Sequence, residues 1–353
     1  MREYYEVSSC SRETYLRAAD EFGFDIHCGS GLSGPVAGLH CRETYDLPDV
    51  AYHCEERTEG EFRVCRRTFE TPEGTLTDDT WFPPSGDRRY GISPNPFRKE
   101  HLVKSPADLK ALPYLVVRQP QVNIEAFRRT ESTIGERGLV MAMVYSALCH
   151  RAGEACPMQD LMVAFYEDRP FFDEILGLYQ EEMMAEVRAY LDAGVRHFVA
   201  NWYYNSLSAG WSPQIWREAF LPQLREMTDL VHAHGGTVNL YDDGKCMEIL
   251  DLFAEAQVDV LQTIAPPPMG DVDLAEAKRR IGDRVCLMGY VDLLHVIRNG
   301  TPESIERTVK ETIRTAAPGS GFILGTSDSI RDGTPLENVR AYFDAARKYG
   351  ADY

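Results

Sequence analysis

From about residue 120 onward, short β-branched or aromatic runs alternate with stretches whose apolar residues recur at helical spacing. Residues 139–145 read as a strand, followed by helix-like stretches through residue 191. The next strand begins over 197–200, ahead of a helix over 213–232. Strand then helix recurs at 237–240 with 245–256 and at 258–263 with 274–280. It recurs again at 285–288 with 302–316 and at 322–324 with 335–349. Alternation repeated this often implies parallel strands joined by right-handed crossovers. No GxGxxG opens any of these helices, which argues against a dinucleotide-binding sheet. The pattern predicts an α/β chain folded as a (β/α)8 TIM barrel, its early strands unplaced.

The portion before residue 120 is punctuated by Gly29-Ser30-Gly31, Gly34-Pro35, Pro83-Pro84-Ser85-Gly86 and Ser93-Pro94-Asn95-Pro96. Within it, 61–70 and 75–81 read as two strands joined at Pro72-Glu73-Gly74, a hairpin. Ser105-Pro106-Ala107-Asp108-Leu109 reads as a capped helix start. The expected organisation is one barrel domain over 1–353. Residues 1–115 form its irregular, loop-rich part, covering a barrel face, and 116–353 carry the regular repeats.

The 353 residues are 44% hydrophobic and 26% charged, which excludes a disordered or fibrous protein. A net charge of -18 repels phosphate backbones and anionic lipid, so neither nucleic acid nor a membrane surface is an expected partner. No apolar run is long enough to span a bilayer, and Met1-Arg2-Glu3-Tyr4-Tyr5-Glu6 lacks the apolar core of a signal peptide. The expectation is a soluble, cytoplasmic protein. Nine Cys, an odd number in a chain of this size, imply reduced thiols. His27-Cys28, His40-Cys41 and His53-Cys54 recur thirteen residues apart, and such soft ligands suit zinc. Adjacent side chains point different ways and no CxxC accompanies them, so they read as buried or half-buried pairs in a loop-rich region.

A barrel of this kind places its site at the C-terminal strand ends. Those ends carry Tyr145, Asn201 to Tyr204, Tyr241 to Asp243, Thr263, Tyr290 to Asp292, and Thr326 to Asp328. Asp242, Asp243 and Asp328 suit acid/base work or hard metal ligation. Tyr145, Asn201, Tyr203, Tyr204, Asp242 and Tyr290 are candidate substrate-binding groups at the mouth. Competing structural roles exist: Asp243 precedes the helix near Lys245 and suits its cap, and Asp328-Ser329 suits a turn. Trp202 and Trp211 read as packing, His232 and His234 as groups at a helix end, and Cys246 as a small buried hydrophobe.

Val258-Asp259-Val260-Leu261-Gln262, Val272-Asp273-Leu274 with Ala277-Lys278, and Leu287-Met288-Gly289-Tyr290-Val291-Asp292 resemble the uroporphyrinogen decarboxylase superfamily. Gly300-Thr301-Pro302-Glu303, Gly321-Phe322-Ile323-Leu324 and Thr334-Pro335-Leu336-Glu337-Asn338-Val339 continue the resemblance, which runs in order over about residues 70 to 350. It implies a (β/α)8 barrel. The decarboxylase branch carries an N-terminal Arg-Gln-Ala-Gly-Arg-Tyr segment that grips tetrapyrrole carboxylates, and residues 1–40 hold nothing like it. That branch's late active-site His falls near Asp328. Arg66-Arg67 and Arg88-Arg89 are commonplace surface pairs.

The resemblance is nearer to the branch of methyltransferases acting with corrinoid proteins, coenzyme M or folate. Their zinc motif, His-x-Cys with a distant Cys, corresponds here to Tyr241, Asp243 and Asp328. That oxygen-only set suits a harder ion or none, so zinc is doubtful and any metal would rest on Asp243 and Asp328. The resemblance thus implies a methyltransferase moving a methyl group to or from a corrinoid protein, with tetrahydrofolate a possible carrier. Tyr241, Asp243 and Asp328 are its catalytic candidates. The alternatives are a carboxy-lyase acting on a tetrapyrrole or aromatic acid, and a non-catalytic barrel that only binds.

Overall fold

The computed structural model describes residues 12–30, 47–84, 95–202, 204–331 and 333–351, together with Tyr5, Arg89 and Tyr353. Gly31, Gly34-Pro35, His40-Cys41, Ser85-Gly86, Arg88, Ser93-Pro94 and Tyr203 lie outside the described residues. In chain order the strands are β1 (Ile26–Ser30), β2 (Ala51–Glu59), β3 (Phe62–Thr71), β4 (Gly74–Phe82), β5 (Phe97–Glu100) and β6 (Gly138–Val144). After these come β7 (His197–Asn201), β8 (Thr237–Tyr241), β9 (Val260–Ile264), β10 (Cys286–Val291) and β11 (Phe322–Thr326). The chain divides into two compact units: residues 1–30, 123–143 and 195–353, and residues 31–122 and 144–194.

The first unit holds a seven-stranded sheet in the order β1-β6-β7-β8-β9-β10-β11, each strand beside its successor as in a (β/α)8 barrel. The pairs β1–β6, β7–β8, β8–β9, β9–β10 and β10–β11 are parallel. The sheet curls: Asn239 on β8 meets Met141 on β6 at 3.3 Å across one intervening strand and His27 on β1 at 3.1 Å across two. Its two edges are drawn together by helices. Phe22 of the helix Arg12–Phe22 and Phe24 pack on Phe343 of the helix Leu336–Gly350, and Arg347 donates to the Phe22 carbonyl. The helix Pro302–Ala316 forms where the alternation predicts it. Thr301 and Ser304 make a capping box, Pro302 opens the first turn, and Ile305, Val309 and Ile313 bury one stripe. Ile305→Ala would empty part of that stripe and cost about 2–5 kcal/mol.

The second unit carries an antiparallel sheet in the order β2-β3-β4-β5. The predicted hairpin is its β3–β4 pair: Thr71 Oγ1 donates to the Gly74 carbonyl at 2.8 Å, and Gly74 takes φ +139. Beyond that expectation are β2, whose residues are almost all exposed, and the short β5. Ser105 opens a 3-10 helix, Pro106–Lys110, closed by Asp108 at the Ser105 amide. The irregular region does not end as a block at residue 115. Helix Arg12–Phe22 and β1 belong to the barrel unit, and residues 31–122 cluster with 144–194.

Candidate functional site

Asn201, Tyr241 and Gln262 are register partners on β7, β8 and β9, so their side chains share one face of the sheet. Asn239, two residues before Tyr241, reaches His27 and Met141 across the interior, and the rung above it therefore faces the interior too. Asn201, 4% exposed, donates to Met143 Sδ at 3.1 Å. Tyr241 donates its hydroxyl to Asp243 Oδ2 at 3.3 Å. Burial, and then the Asp328 carboxylate, push the Asp243 carboxyl upward; the Tyr241 hydroxyl and Arg331 act against the rise. Arg331 in turn pairs with Asp328. Tyr241, Asp243 and Asp328 thus come together in one cluster, with Arg331 as a member that strand-end reasoning did not single out. The turn expected at Asp328-Ser329 is present as well: the Ser329 amide donates to Asp328 Oδ1 at 2.6 Å.

The helix-cap role considered for Asp243 falls to another residue. Asp271 Oδ1 accepts from the Cys246 and Met247 amides at 2.8 and 3.2 Å, where the helical turn Met247–Ile249 begins. Asp243 is therefore not needed to open that helix.

Four candidates lie off the Asn201–Tyr241–Gln262 rung. Asp242 follows Tyr241 and is buried, with Cys246, Asp243 and Asp271 as electrostatic neighbours. It is 1% exposed, and neither carboxylate oxygen finds a hydrogen-bond partner among the described residues. Burial first, then Asp243 and Asp271, drive its carboxyl well above the ordinary range, favouring the neutral acid. Opposite Met288 and Gly289 the register with β9 shifts by one residue, Thr263 being the extra one, and Gly289 and Tyr290 take φ +124 and +87. Tyr290 lines a cavity of about 570 Å³ with Pro266, Asp271, Leu274 and Thr312, and Tyr241, Asp243 and Asp328 are not among the lining residues. Tyr145 stacks against His150 at 5.1 Å within the other unit. Tyr204 is exposed with φ +64, its carbonyl accepting from Trp211 Nε1 at 2.6 Å.

The remaining readings resolve locally. Trp202 and Trp211 are buried packing residues. His234 Nδ1 lies 2.9 Å from the Leu230 carbonyl at its helix end, whereas His232 pairs with Asp259. Cys246 is buried, and burial with Asp242 and Asp271 holds it as a thiol. His27-Cys28 and His53-Cys54 lie in strands β1 and β2, in different units, where loops were expected. Among the described residues no group of three or more His, Cys, Asp or Glu is placed to hold a metal ion. The mouth offers only oxygens, and Arg331 already neutralises Asp328, so these residues do not fit zinc.

Gln262 escaped the reading of strand ends, because it lies one residue before the end chosen for its strand. It is 7% exposed, beside Tyr241 in register, and its Oε1 finds no partner among the described residues. Thr263, which follows it, takes φ +66, a strained value for a β-branched residue.

A family profile described as Uroporphyrinogen decarboxylase (URO-D) matches residues 89–349. A uroporphyrinogen decarboxylase of Thioalkalivibrio sulfidiphilus is 26% identical over 189 residues, 52% of this chain and 51% of that protein. One of Coxiella burnetii is 35% identical over 77 residues, 22% of this chain and 21% of its own. The chain thus spans about half the length, or less, of these curated relatives. Among solved structures, a methyltransferase from Methanosarcina mazei superposes with a TM-score of 0.56 at 18% identity, over 72% of this chain and 73% of that one. At that identity the likeness is one of fold. No helix among the described residues is long and apolar enough to cross a membrane.

Proposed function

The chain belongs to the uroporphyrinogen decarboxylase family, and from that premise we propose that it moves a methyl group to or from a corrinoid protein, with Tyr241 and Asp243 handling the proton. The observation that carries this reading is the hydrogen bond from Tyr241 to Asp243, beside the Asp328–Arg331 pair. Asp243, with its carboxyl raised by burial and by Asp328, is an acid near enough to the tyrosine to supply it with a proton. In the demethylating direction the bond between the methyl carbon and an ether oxygen or amine nitrogen breaks. The heteroatom keeps the electron pair and takes the Tyr241 proton, and Asp243 restores the tyrosine. Acid assistance of this kind contributes about 10²–10⁴-fold. A corrinoid carried by a partner protein would supply the nucleophile for the methyl carbon, and tetrahydrofolate is the alternative carrier. Arg331 pairs with Asp328, the carboxylate beside the acid. No step runs through zinc.

The names of the curated relatives favour a second reading, decarboxylation of an aromatic acid or tetrapyrrole. The same acid would then protonate the carbon that loses carbon dioxide. The acceptor-rich mouth and the missing arginine segment weigh against an eight-carboxylate substrate. Incubation with reduced corrinoid and a panel of methyl ethers and methylamines, alongside uroporphyrinogen, separates the readings. Methyl transfer that is lost in Asp243→Asn supports the first. Conversion of uroporphyrinogen to coproporphyrinogen supports the second, and binding without turnover leaves a barrel that only binds.

A further inference from the structure

Among the buried polar atoms of the barrel unit without a partner among the described residues, Gln262 Oε1 is the one on the strand rung of Tyr241. Gln262 Oε1 is buried, belongs to a residue only 7% exposed, and has no hydrogen-bond partner among the described residues. Native chains pair nearly all of their buried acceptors, so an unpaired one beside a site is open to a ligand's donor. Gln262 is the register partner of Tyr241, and the backbone ladder continues past it, since the Asp242 amide donates to the Gln262 carbonyl at 3.2 Å. The strained Thr263 is pinned by its hydroxyl to the Asp242 carbonyl at 3.0 Å, which fixes the backbone directly after Gln262. The side chain is therefore held beside the phenol by the strand pairing itself.

The donors on the neighbouring strands are turned elsewhere. In the free protein the Tyr241 hydroxyl donates to Asp243 at 3.3 Å, and the Asn201 amide donates to Met143 Sδ at 3.1 Å. Neither serves Gln262 Oε1, so the hydrogen that pairs it must come from the occupant.

We propose that Gln262 selects the substrate: Oε1 accepts an N–H or O–H carried by the small molecule next to the atom that gains or loses its methyl group. The proposal rests on the reading of the Tyr241 mouth as the substrate site. It sharpens that reading from any methyl ether or amine to those bearing a neighbouring donor. A ligand lacking the donor leaves Oε1 unpaired and is rejected, the asymmetry by which buried polar groups discriminate.

The test pairs a stability readout with binding probes that differ by one donor. Gln262→Met removes the orphan acceptor at similar volume, and Gln262→Glu keeps an acceptor in place. In calorimetry of the free protein, Gln262→Met should raise Tm by about 1–3 °C. In titrations, 2-methoxyphenol should bind the parent protein at least about 10-fold more tightly than 1,2-dimethoxybenzene. Gln262→Met should abolish that preference and Gln262→Glu should retain it. A fall in Tm for Gln262→Met, or equal binding of the two probes by the parent, overturns the proposal. If the preference holds but no methyl transfer occurs with reduced corrinoid, Gln262 stands as the selecting residue and the methyltransferase reading fails.

Discussion

In the unit of residues 31–122 and 144–194, deeply buried charges are matched. Arg67 and Arg98 converge on Asp78, Arg98 also meets Glu154, and Arg151 holds Glu182 and Glu186. In the barrel unit, Asp242 is buried as deeply, yet neither of its oxygens meets a donor among the described residues, and Gln262 Oε1 is in the same position. Three residues with positive φ, Tyr204, Thr263 and Tyr290, fall within three residues of the C-terminal ends of β7, β9 and β10. Paired charges serve the fold of the unit of residues 31–122 and 144–194, whereas near those barrel strand ends unpaired groups and strain stand where a ligand would complete them.

The contrast breaks most visibly in activity. Asp243→Asn should lower methyl transfer by about 10²–10⁴-fold with little change in unfolding midpoint, measured by steady-state rates and calorimetry. Because the Asp243 carboxyl is raised and is needed as an acid, the parent rate should fall as pH climbs past that raised value. A pH–rate profile flat across the range from 5 to 9 would remove the acid from the mechanism. Next in size, Asp78→Ala strands two buried arginines and should destabilise the protein by about 3–5 kcal/mol in denaturant titration, leaving the chemistry at Tyr241 untouched.

Asp242 gives a smaller effect of opposite sign. Its folded carboxyl holds a proton that the unfolded chain releases at ordinary acidity, so the folded state binds more protons above that point. The stability it contributes is complete below the usual aspartate range and drains away as pH rises toward the folded value. Asp242→Asn should remove that slope and raise stability at pH 8 by about 1–3 kcal/mol, read from unfolding curves at several pH values. Smallest is the cap: Asp271→Ala should cost about 1 kcal/mol, and Asp243→Ala clearly less.

The regular half of the fold was legible because its helices carry their caps and stripes in local sequence. Thr301-Pro302 with Ile305, Val309 and Ile313 needs no distant partner to be read. The strands β1 and β2 were not legible. Ile26–Ser30 is half polar and Gly-containing, and Ala51–Glu59 is exposed on nearly every residue, so neither shows the alternation of a half-buried strand. The proximity of Tyr241, Asp243 and Asp328 is what positions at strand ends predict. That Tyr290 lines a cavity with Asp271 and Thr312 was not legible, because periodicity does not show its positive φ. The cap went to Asp271 rather than Asp243 because it comes from a loop over twenty residues away. Gln262 was missed for a related reason: an orphaned atom is defined by neighbours it lacks, which only the folded chain reveals.

The packing of the helix Arg12–Phe22 on the helix Leu336–Gly350 sets a schedule for synthesis. Arg347 and the Phe22 carbonyl it binds are 325 residues apart. At ribosomal rates of about 5–20 residues per second, roughly a quarter of a minute to a minute separates their emergence. Throughout that interval the apolar Phe22 and Phe24 rings have no Phe343 to cover them. The growing barrel also has a sheet with an open rim. Over that stretch of synthesis the early rings stay uncovered, and the helix Leu336–Gly350 acts as the latch that ends the exposure.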